Sequence, residues 1–128
     1  MTRINVSSGS PFEEPIGFSR AVRIKNIIAV SGTAPIKPDG STFALGDPYE
    51  QTKYCIEIMK KAIEEAGGKL DNTIRTRIFL RDISNWKKAA KAHGEFFSKI
   101  RPTCSFIEVK GFVNEEWLVE TEADCVID

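Results

Sequence analysis

The segment NTIRTRIFLRD, from Asn72 to Asp82, alternates strictly between two kinds of side chain and constrains the fold more than any other stretch. Successive side chains of a strand point to opposite faces, so this period of two predicts a strand with two different surfaces. One surface is largely apolar and the other is basic with one aromatic ring. The first consists of Ile74, Thr76, Ile78 and Leu80, and the second of Arg75, Arg77, Phe79 and Arg81.

A helix with clear start and stop signals precedes this strand. Asp47 is a good N-cap, Pro48 suits the first helical position, and Glu50 has the spacing of a capping box. Gly67-Gly68 is typical of a helix end. Between these signals, apolar residues recur at helical spacing and predict one buried stripe, which consists of Cys55, Ile58, Met59, Ala62, Ile63 and Ala66.

A second helix is predicted after the strand, from about Ser84 to Ile100, because Pro102 cannot continue it. Two short strands are predicted on either side of Lys25-Asn26, and the apolar run from Ile27 to Val30 indicates a mid-sheet position. The inner face of the second helix is predicted to consist of Trp86, Ala89, Ala90, His93, Phe96, Phe97 and Ile100.

Two alternating strands end the chain, TCSFIEVK and LVETEADCVI. We assign the face that carries Ile78, Ile107 and Val119 to the helices. The opposite face then holds Phe79, Phe106 and a set of charges, and it is either solvated or a subunit interface in which opposite charges pair. That charged set consists of Arg75, Arg77, Arg81, Glu108, Glu120, Glu122 and Asp124.

The element order predicts an α+β fold with a mixed sheet and two helices on one face, as a single domain over residues 1–128. Lys and Arg number 18, as do Asp and Glu, so no strong field attracts nucleic acid or an anionic membrane. The N-terminus has no long apolar run, which argues against a signal peptide or membrane span. Three cysteines without metal spacing indicate a reducing, cytoplasmic location. We expect no metal and no cofactor.

Several short motifs resemble the YjgF/RidA family, whose members also carry the names translation-initiation inhibitor and endoribonuclease L-PSP. GFSRAV is similar to the family's P-Y-S-x-A-V, and IIAVSGTAPI to its strand followed by S-G-x-x-P. FLRDISNWKKAAKAHGEFF resembles the start of its second helix. RPTCSFIEVKGF and LVETEA resemble its closing signature. The resemblance runs from about Ile16 to Ile127 and lies in the order and spacing of these motifs.

The resemblance implies a chorismate-mutase-like fold that assembles as a homotrimer around a central barrel, with small-molecule sites in clefts between subunits. Imine and enamine deaminases of the family bind the substrate carboxylate through an arginine on the penultimate strand. A glutamate on the last strand positions the hydrolytic water. The glutamate matches Glu120, which we predict to be catalytic; alternatively, it pairs with Arg75 or Arg77. The arginine position is Cys104, and a neutral thiol cannot form two charge-assisted hydrogen bonds.

The predicted substrate-binding residues are Phe18, Ser31, Cys104 and Phe106. Phe18 lacks the hydroxyl of the family's tyrosine, and Ser31 either binds a ligand or caps the turn. Arg101 could swing back to replace the missing cation.

Five further residues, one histidine, two arginines and two cysteines, also have expected positions. His93 is expected to be a core residue bonded to a backbone carbonyl, or alternatively a base for Cys104. Arg20 and Arg23 flank the cleft-forming segment and are expected to be solvated, or alternatively to bind a ligand. Cys55 and Cys125 are expected to lie in the core.

Three functions follow as alternatives. The first is a hydrolase or deaminase of imine- or enamine-type metabolites that relies less on carboxylate capture. The second is a non-catalytic trimeric metabolite-binding or regulatory protein. The third, carried by family naming alone, is an RNA-cleaving translation inhibitor, and the absence of a basic strip interleaved with aromatics makes nucleic acid an unlikely partner.

Overall fold

A computed structural model describes residues 2–128 as one six-stranded sheet with helices packed against it. Each amphipathic segment buries its apolar side against its neighbours, which produces a layer of helices on a layer of strands. The strands are β1 (Arg3–Val6), β2 (Ala21–Ile24), β3 (Ile27–Thr33), β4 (Thr73–Leu80), β5 (Thr103–Glu108) and β6 (Val119–Val126); the helices are α1 (Glu13–Ile16), α2 (Pro48–Glu65) and α3 (Trp86–Phe97).

The sheet has the order β1-β2-β3-β6-β4-β5. Only the β4–β5 pair is parallel among the strand pairs of residues 2–128, so the predicted mixed sheet is confirmed. β3 lies between β2 and β6, which confirms the mid-sheet position of its apolar run. Strands β1 and β5 form the two edges, and a single chain therefore makes an open sheet and not a closed barrel.

Helix α2 begins where its sequence signals place it. The Asp47 side chain accepts a hydrogen bond from the Glu50 backbone N–H at 3.0 Å, and Pro48 occupies the first turn. Gly67 has a φ of 90°, a left-handed conformation that ends the helix without steric cost. The stripe of α2 packs on β3 and β6 in the main core cluster, whose largest members are Ile28, Val30, Ile56, Met59, Ile63 and Phe97.

Helix α3 is shorter than predicted, because the chain forms a 3₁₀ turn at Ile83–Asn85 and the helix ends at Phe97, with Ser98 as its C-cap. Arg101 then takes a positive φ of 57° just before Pro102, and its side chain is exposed. The predicted inner face is also rotated at its start: Trp86 is 45% exposed, whereas Ala92 is fully buried.

A bulge in β4 corrects the predicted position of Ile74. Thr73 pairs with Cys125 and Arg75 with Asp124, so two steps along β4 match one step along β6. Thr73 therefore takes the place under the helices, and Ile74 is 52% exposed. Beyond the bulge the predicted alternation holds, with Thr76, Ile78 and Leu80 fully buried.

Strand β5 faces the opposite way from the prediction. In its parallel register, Phe106 lies beside Ile78, and Ile107 lies beside Phe79. Paired residues share a face, so Phe106 packs against the core cluster of Ile78 and Ala89, while Ile107 is 38% exposed on the far side. Alternation defined two faces of β5 but did not say which was buried. The pairing with β4 decides this.

Candidate functional site

Glu120 lies on the sheet face away from the helices, because its neighbours Val119 and Thr121 are buried beneath them. It pairs across the sheet with Phe79 of β4. On its other side, β3 bulges between Val30 and Thr33 and brings Gly32 close to the carboxylate. A side-chain carbon at Gly32 would lie only 3.0 Å from Oε1 of Glu120, so the glycine leaves the space that the carboxylate fills.

The surroundings of Glu120 favour its neutral form. Burial raises the pKa of its carboxyl group above the ordinary value of 4.5; the charge of Arg20 opposes this rise, and that of Glu122 adds to it. No hydrogen bond to the Glu120 side chain is found within residues 2–128. The half-buried carboxyl group therefore has no hydrogen-bond donor among these residues and can accept one from a small molecule.

Arg20 forms the centre of this region, which corrects the expectation that it is solvated. Only 4% of the residue is exposed. Its Nη1 donates to Ser31 Oγ at 2.9 Å, to the Gly32 carbonyl at 2.6 Å and to Thr33 Oγ1 at 3.3 Å. Its Nε donates to Ser8 Oγ at 3.2 Å. The guanidinium group therefore fixes the β3 bulge from the side and holds Gly32 against Glu120.

Phe18 and Ser31 both contact Arg20. The guanidinium carbon lies 5.3 Å from the centroid of the Phe18 ring, within the range of a cation–π contact. The Ser31 hydroxyl accepts from Arg20 Nη1 and lies 3.3 Å from the Arg20 carbonyl oxygen, to which it donates. The structure thus brings Phe18, Ser31 and Glu120 into one neighbourhood, with Arg20 joining them.

Two arginines of the charged face, Arg75 and Arg77, pair with carboxylates other than Glu120. Arg77 lies 3.0 Å from Glu122 and 3.5 Å from Asp124, and Arg75 lies 3.7 Å from Asp124. The alternative in which Glu120 pairs with Arg75 or Arg77 is therefore wrong for the single chain. Arg23 is also engaged, since its Nη1 donates to the Ala66 carbonyl at the end of α2 at 2.9 Å.

Cys104 and Phe106 lie on the helix side of the sheet, so one chain does not bring them together with Glu120. Cys104 pairs with Thr76 in the parallel register and is exposed at the sheet edge. The Phe106 ring makes edge-on contacts with Trp86 at 6.2 Å and with His93 at 6.4 Å between centroids. These positions correct the predicted face of both residues.

His93 is held by a side chain and not by the expected backbone carbonyl. Its Nε2 lies 2.8 Å from Thr76 Oγ1, and its ring packs on Phe97 with centroids 4.6 Å apart. Burial lowers the pKa of His93 below its ordinary value of 6.5, so the imidazole is neutral near pH 7. His93 and Cys104 thus share a face of the sheet as neighbours of Thr76. No hydrogen bond joins them within residues 2–128.

The two remaining thiols, Cys55 and Cys125, are buried in the core as expected. Residues 2–128 contain no cluster of three or more His, Cys, Asp or Glu residues that could hold a metal ion. Within the same residues, no helix has the length and apolar character needed to cross a lipid bilayer.

Sequence reasoning missed Arg20 and Gly32 as members of the site. Both lie in motifs that were examined, GFSRAV and AVSGTA. No local pattern distinguishes Arg20 from Arg23, because its burial depends on a bulge eleven residues later and on Ser8 twelve residues earlier. The serine–glycine pair at the end of an apolar run was the one available signal, since an isolated glycine in a strand often marks a bulge.

This fold and a half-buried glutamate on the last strand define a class of small α+β proteins, and comparisons with known proteins agree. The profile of the family described as Endoribonuclease L-PSP matches residues 12–127. The crystal structure of Rv2704 from Mycobacterium tuberculosis, a member of the YjgF/YER057c/UK114 family, is 38% identical. It superposes with a TM-score of 0.89 over 98% of this chain and 100% of that one.

Two curated relatives are also similar. The uncharacterized protein SCO2049 of Streptomyces coelicolor is 39% identical over 93% of this chain and 88% of its own length. The 3-aminoacrylate deaminase RutC of Acinetobacter baylyi is 31% identical over 78% of this chain and 79% of its own length. The chain belongs to the Endoribonuclease L-PSP family, known also as the YjgF/RidA family, and the resemblance seen in its motifs is confirmed.

Proposed function

We propose that this protein is a homotrimeric hydrolase that deaminates imine- or enamine-type metabolites in clefts between its subunits. The observation that carries the proposal is Glu120, a half-buried carboxyl group with a raised pKa and no cation within 4.0 Å among residues 2–128. A carboxyl group whose pKa is moved toward neutrality is suited to exchange protons with water and with a leaving amine.

In this reaction Glu120 orients a water molecule against the C=N carbon of a protonated imine and accepts one of its protons. The water oxygen forms the new C–O bond, and the C=N double bond becomes a single bond. The nitrogen of the resulting carbinolamine then takes up the proton held by Glu120, and the C–N bond breaks to release ammonia. The hydroxyl oxygen forms the carbonyl and returns its proton to the Glu120 carboxylate. One water is consumed for each imine, and no external oxidant or reductant is needed.

The trimer accounts for the separation of the predicted site residues within one chain. Phe18, Ser31 and Glu120 lie on one face, whereas Cys104 and Phe106 lie on the helix side of the edge strand β5. A second subunit placed against the first would bring its β5 edge to the Glu120 face. Apolar side chains that a single chain leaves exposed near that edge support this packing; they are Ile74, Trp86 and Ile107.

The substrate is expected to depend less on carboxylate capture than substrates of family members with the usual arginine. Cys104 stands at that position, and Arg101 is exposed with its own backbone constrained before Pro102. The relative named 3-aminoacrylate deaminase acts on an enamine that carries a carboxylate. We propose that this chain hydrolyses related imines with smaller or neutral substituents. The three free thiols are consistent with a reducing compartment, and we place the activity in the cytoplasm.

A non-catalytic metabolite-binding trimer is the second candidate. The hydrogen bonds around the site favour this candidate, because Arg20 Nη1 already donates to the Ser31 hydroxyl and neither group is free for acid–base chemistry. A regulatory protein needs only a shaped cleft and no free acid–base groups. RNA cleavage remains a distant third, since the equal numbers of acidic and basic residues provide no electrostatic footprint for a polyanion.

The test is ammonia release above the spontaneous rate from two imine series generated in place. An amino-acid oxidase supplies carboxylated imines, and an amine oxidase supplies imines without a carboxylate. We expect acceleration of the second series, and Glu120→Gln should reduce it by about 10²-fold or more. Glu122→Gln is the matched control, because it lies two residues further along the same face and pairs with Arg77.

Sedimentation analysis of both variants shows whether the trimer persists. Saturable metabolite binding without turnover in either series would support the binding protein and contradict the hydrolase. An equal loss of rate in Glu120→Gln and Glu122→Gln would contradict the role of Glu120. A wild-type chain that sediments as a monomer would contradict the intersubunit cleft.

A further inference from the structure

A cavity of about 330 Å³ lies on the helix side of the sheet, separate from the Glu120 neighbourhood. Its walls come from the segment Ser7–Ser10, from the chain just after β3, and from the outer side of α2. None of the predicted site residues Phe18, Ser31, Cys104, Phe106 and Glu120 lines it. Its volume is at the lower end of the range of pockets that hold small organic ligands.

Arg20 lines this cavity and also bonds Ser31 and Gly32 in the region around Glu120, so it joins the two. It lines the cavity with 4% of its surface exposed, yet no carboxylate lies within 4.0 Å of it among residues 2–128. Its protein partners are hydroxyl groups and one carbonyl, and none of the described residues accepts a hydrogen bond from Nη2. Buried guanidinium groups are normally paired with an anion.

The nearest acidic side chain is already engaged. The Glu13 carboxylate accepts from the Ser8 backbone N–H at 3.0 Å, from Ser8 Oγ at 2.8 Å and from the Ser10 N–H at 3.3 Å. Ser8 Oγ in turn accepts from Arg20 Nε, so Glu13 reaches Arg20 only through that hydroxyl. This link orders the segment that closes one side of the cavity and leaves the Nη2 edge of Arg20 without an anionic partner.

The rest of the wall is largely apolar. Ile36 and Ile58 line it, as does Tyr54, whose ring stacks on Phe43 with centroids 4.2 Å apart and an interplanar angle of 12°. The rim carries the half-buried cation Lys37 and three exposed charges, Lys61, Glu57 and Glu65. The inner end is therefore cationic, the walls are apolar, and the rim is of mixed charge.

We infer that this cavity binds a small organic carboxylate with an apolar or aromatic body. The ligand's carboxylate meets the free Nη2 edge of the Arg20 guanidinium group, because the Ser8 and Thr33 hydroxyls already donate to Glu13 and to the Ser31 carbonyl. Its body lies against Tyr54 and Ile58. A guanidinium group offers the planar, forked donors that match a carboxylate, and the closed surroundings strengthen that interaction. The inference stands independently of the hydrolase proposed for the Glu120 cleft.

The test uses the full-length, ¹⁵N-labelled protein and three probes in NMR titrations up to about 10 mM, the range of weak but specific binding. Phenylacetate has both the carboxylate and the body, 2-phenylethanol has the body without the charge, and inorganic phosphate has the charge without the body. We expect saturable shifts from phenylacetate at the amides of Gly9, Ala34 and Tyr54. The alcohol and phosphate should each bind about tenfold more weakly than phenylacetate, or more weakly still.

Variants then locate the bound probe. Ile58→Trp fills the cavity from α2, away from the Glu120 face, and should abolish the shifts; Arg20→Gln should weaken binding about tenfold or more. Glu120→Gln should leave the phenylacetate-induced shifts unchanged. Ile58→Trp provides the test on its own if Arg20→Gln fails to fold. Shifts confined to residues around Glu120, binding that survives Ile58→Trp, equal binding of phosphate, or no saturation with phenylacetate would each overturn the inference.

Discussion

The two ends of β6 carry the same kind of side chain in opposite surroundings. Near the C-terminal end, Glu122 and Asp124 lie beside Arg77 and Arg75 in a ladder of ion pairs that solvent still reaches. Near the start of the strand, Glu120 lies against the β3 bulge, where the closest guanidinium group belongs to Arg20 and is bonded to hydroxyls and a carbonyl. The comparison shows that neighbours, and not residue type, separate a structural carboxylate from one available for chemistry.

The difference follows from how each arginine is held. Arg75 and Arg77 project from β4 in register with β6, so they meet the carboxylates directly opposite. Arg20 precedes β2, two strands away from β6, and is turned into the bulge of β3. It supplies positive charge near Glu120 without contacting it. Substitutions at the two ends of β6 should therefore have different consequences, and four predictions test this.

The largest expected effect is on stability, from removal of the buried guanidinium group. Arg20→Met should lower the free energy of unfolding by about 3 kcal/mol, because it leaves Ser31, Gly32 and Thr33 without their shared donor. Arg77→Met, at the ladder end, should cost about 1 kcal/mol or less, since its ion pairs are partly exposed. Urea denaturation of both variants measures the difference. Equal losses would show that the two ends are not distinct.

A second prediction concerns Gly32. In Gly32→Ala the new methyl group would lie 3.0 Å from Oε1 of Glu120 and should displace the carboxylate, the end of a flexible side chain, at a stability cost below about 1 kcal/mol. We expect turnover of the carboxylate-free imines to fall about tenfold, because misplacement of a catalytic group lowers the rate steeply.

Gly94→Ala is the control for Gly32→Ala, since a side-chain carbon there would meet nothing within 4 Å. It should leave turnover unchanged and slightly favour helix α3. A Gly32→Ala protein with full activity would contradict the placement of Glu120 in the reaction.

The third prediction is the pH dependence of Glu120→Gln. The folded-state pKa of Glu120 is raised above 4.5, so protonation stabilises the folded wild type. That contribution is fully present below pH 4.5 and is lost as the pH rises through the folded-state pKa. Glu120→Gln resembles the protonated form at every pH. The Tm of the variant minus that of the wild type should therefore increase as the pH rises above 4.5.

At neutral pH, Glu122→Gln should change the Tm in the opposite direction and lower it, because this substitution removes the ion pair with Arg77. Thermal unfolding of the two variants from about pH 4 to pH 8 measures both trends. A Tm difference for Glu120→Gln that shrinks with rising pH would mean that the Glu120 carboxylate is stabilised and not destabilised by its surroundings.

Local patterns predicted the elements that local physics determines. The cap at Asp47, the stripe of α2 and the alternation of β4 beyond its bulge all depend on residues within a few positions of one another. They were predicted correctly because propensity, capping and periodicity agree there, except that Ile56 of α2 is buried and the expected Ile58 is only half-buried. The family was likewise recognisable from the order of its motifs.

Features that depend on distant pairing were not predictable in the same way. The face of β5 is decided by its register with β4, and alternation alone made Phe106 and Ile107 equivalent candidates for burial. The burial of Arg20 requires the β3 bulge and Ser8 together. The candidate site combines these two effects, so Glu120 and its neighbours Phe18 and Ser31 could be named from the sequence, whereas their partners could not.

Arg75→Gln is expected to have the smallest effect. It tests whether solvent or a sister subunit covers the charged face. Arg75 forms one ion pair, with Asp124 at 3.7 Å, and both side chains are about half exposed in the single chain. Such a pair should contribute less than about 0.5 kcal/mol, and still less at high salt, so Arg75→Gln should unfold almost like the wild type if solvent covers this face. If the face is instead packed against sister subunits, the same change leaves Asp124 with only its 3.5 Å ion pair to Arg77 in a dry interface and weakens assembly. Sedimentation across a dilution series separates the two cases: our proposal requires the variant to dissociate at a higher protein concentration than the wild type, and identical dissociation curves would place the trimer interface elsewhere.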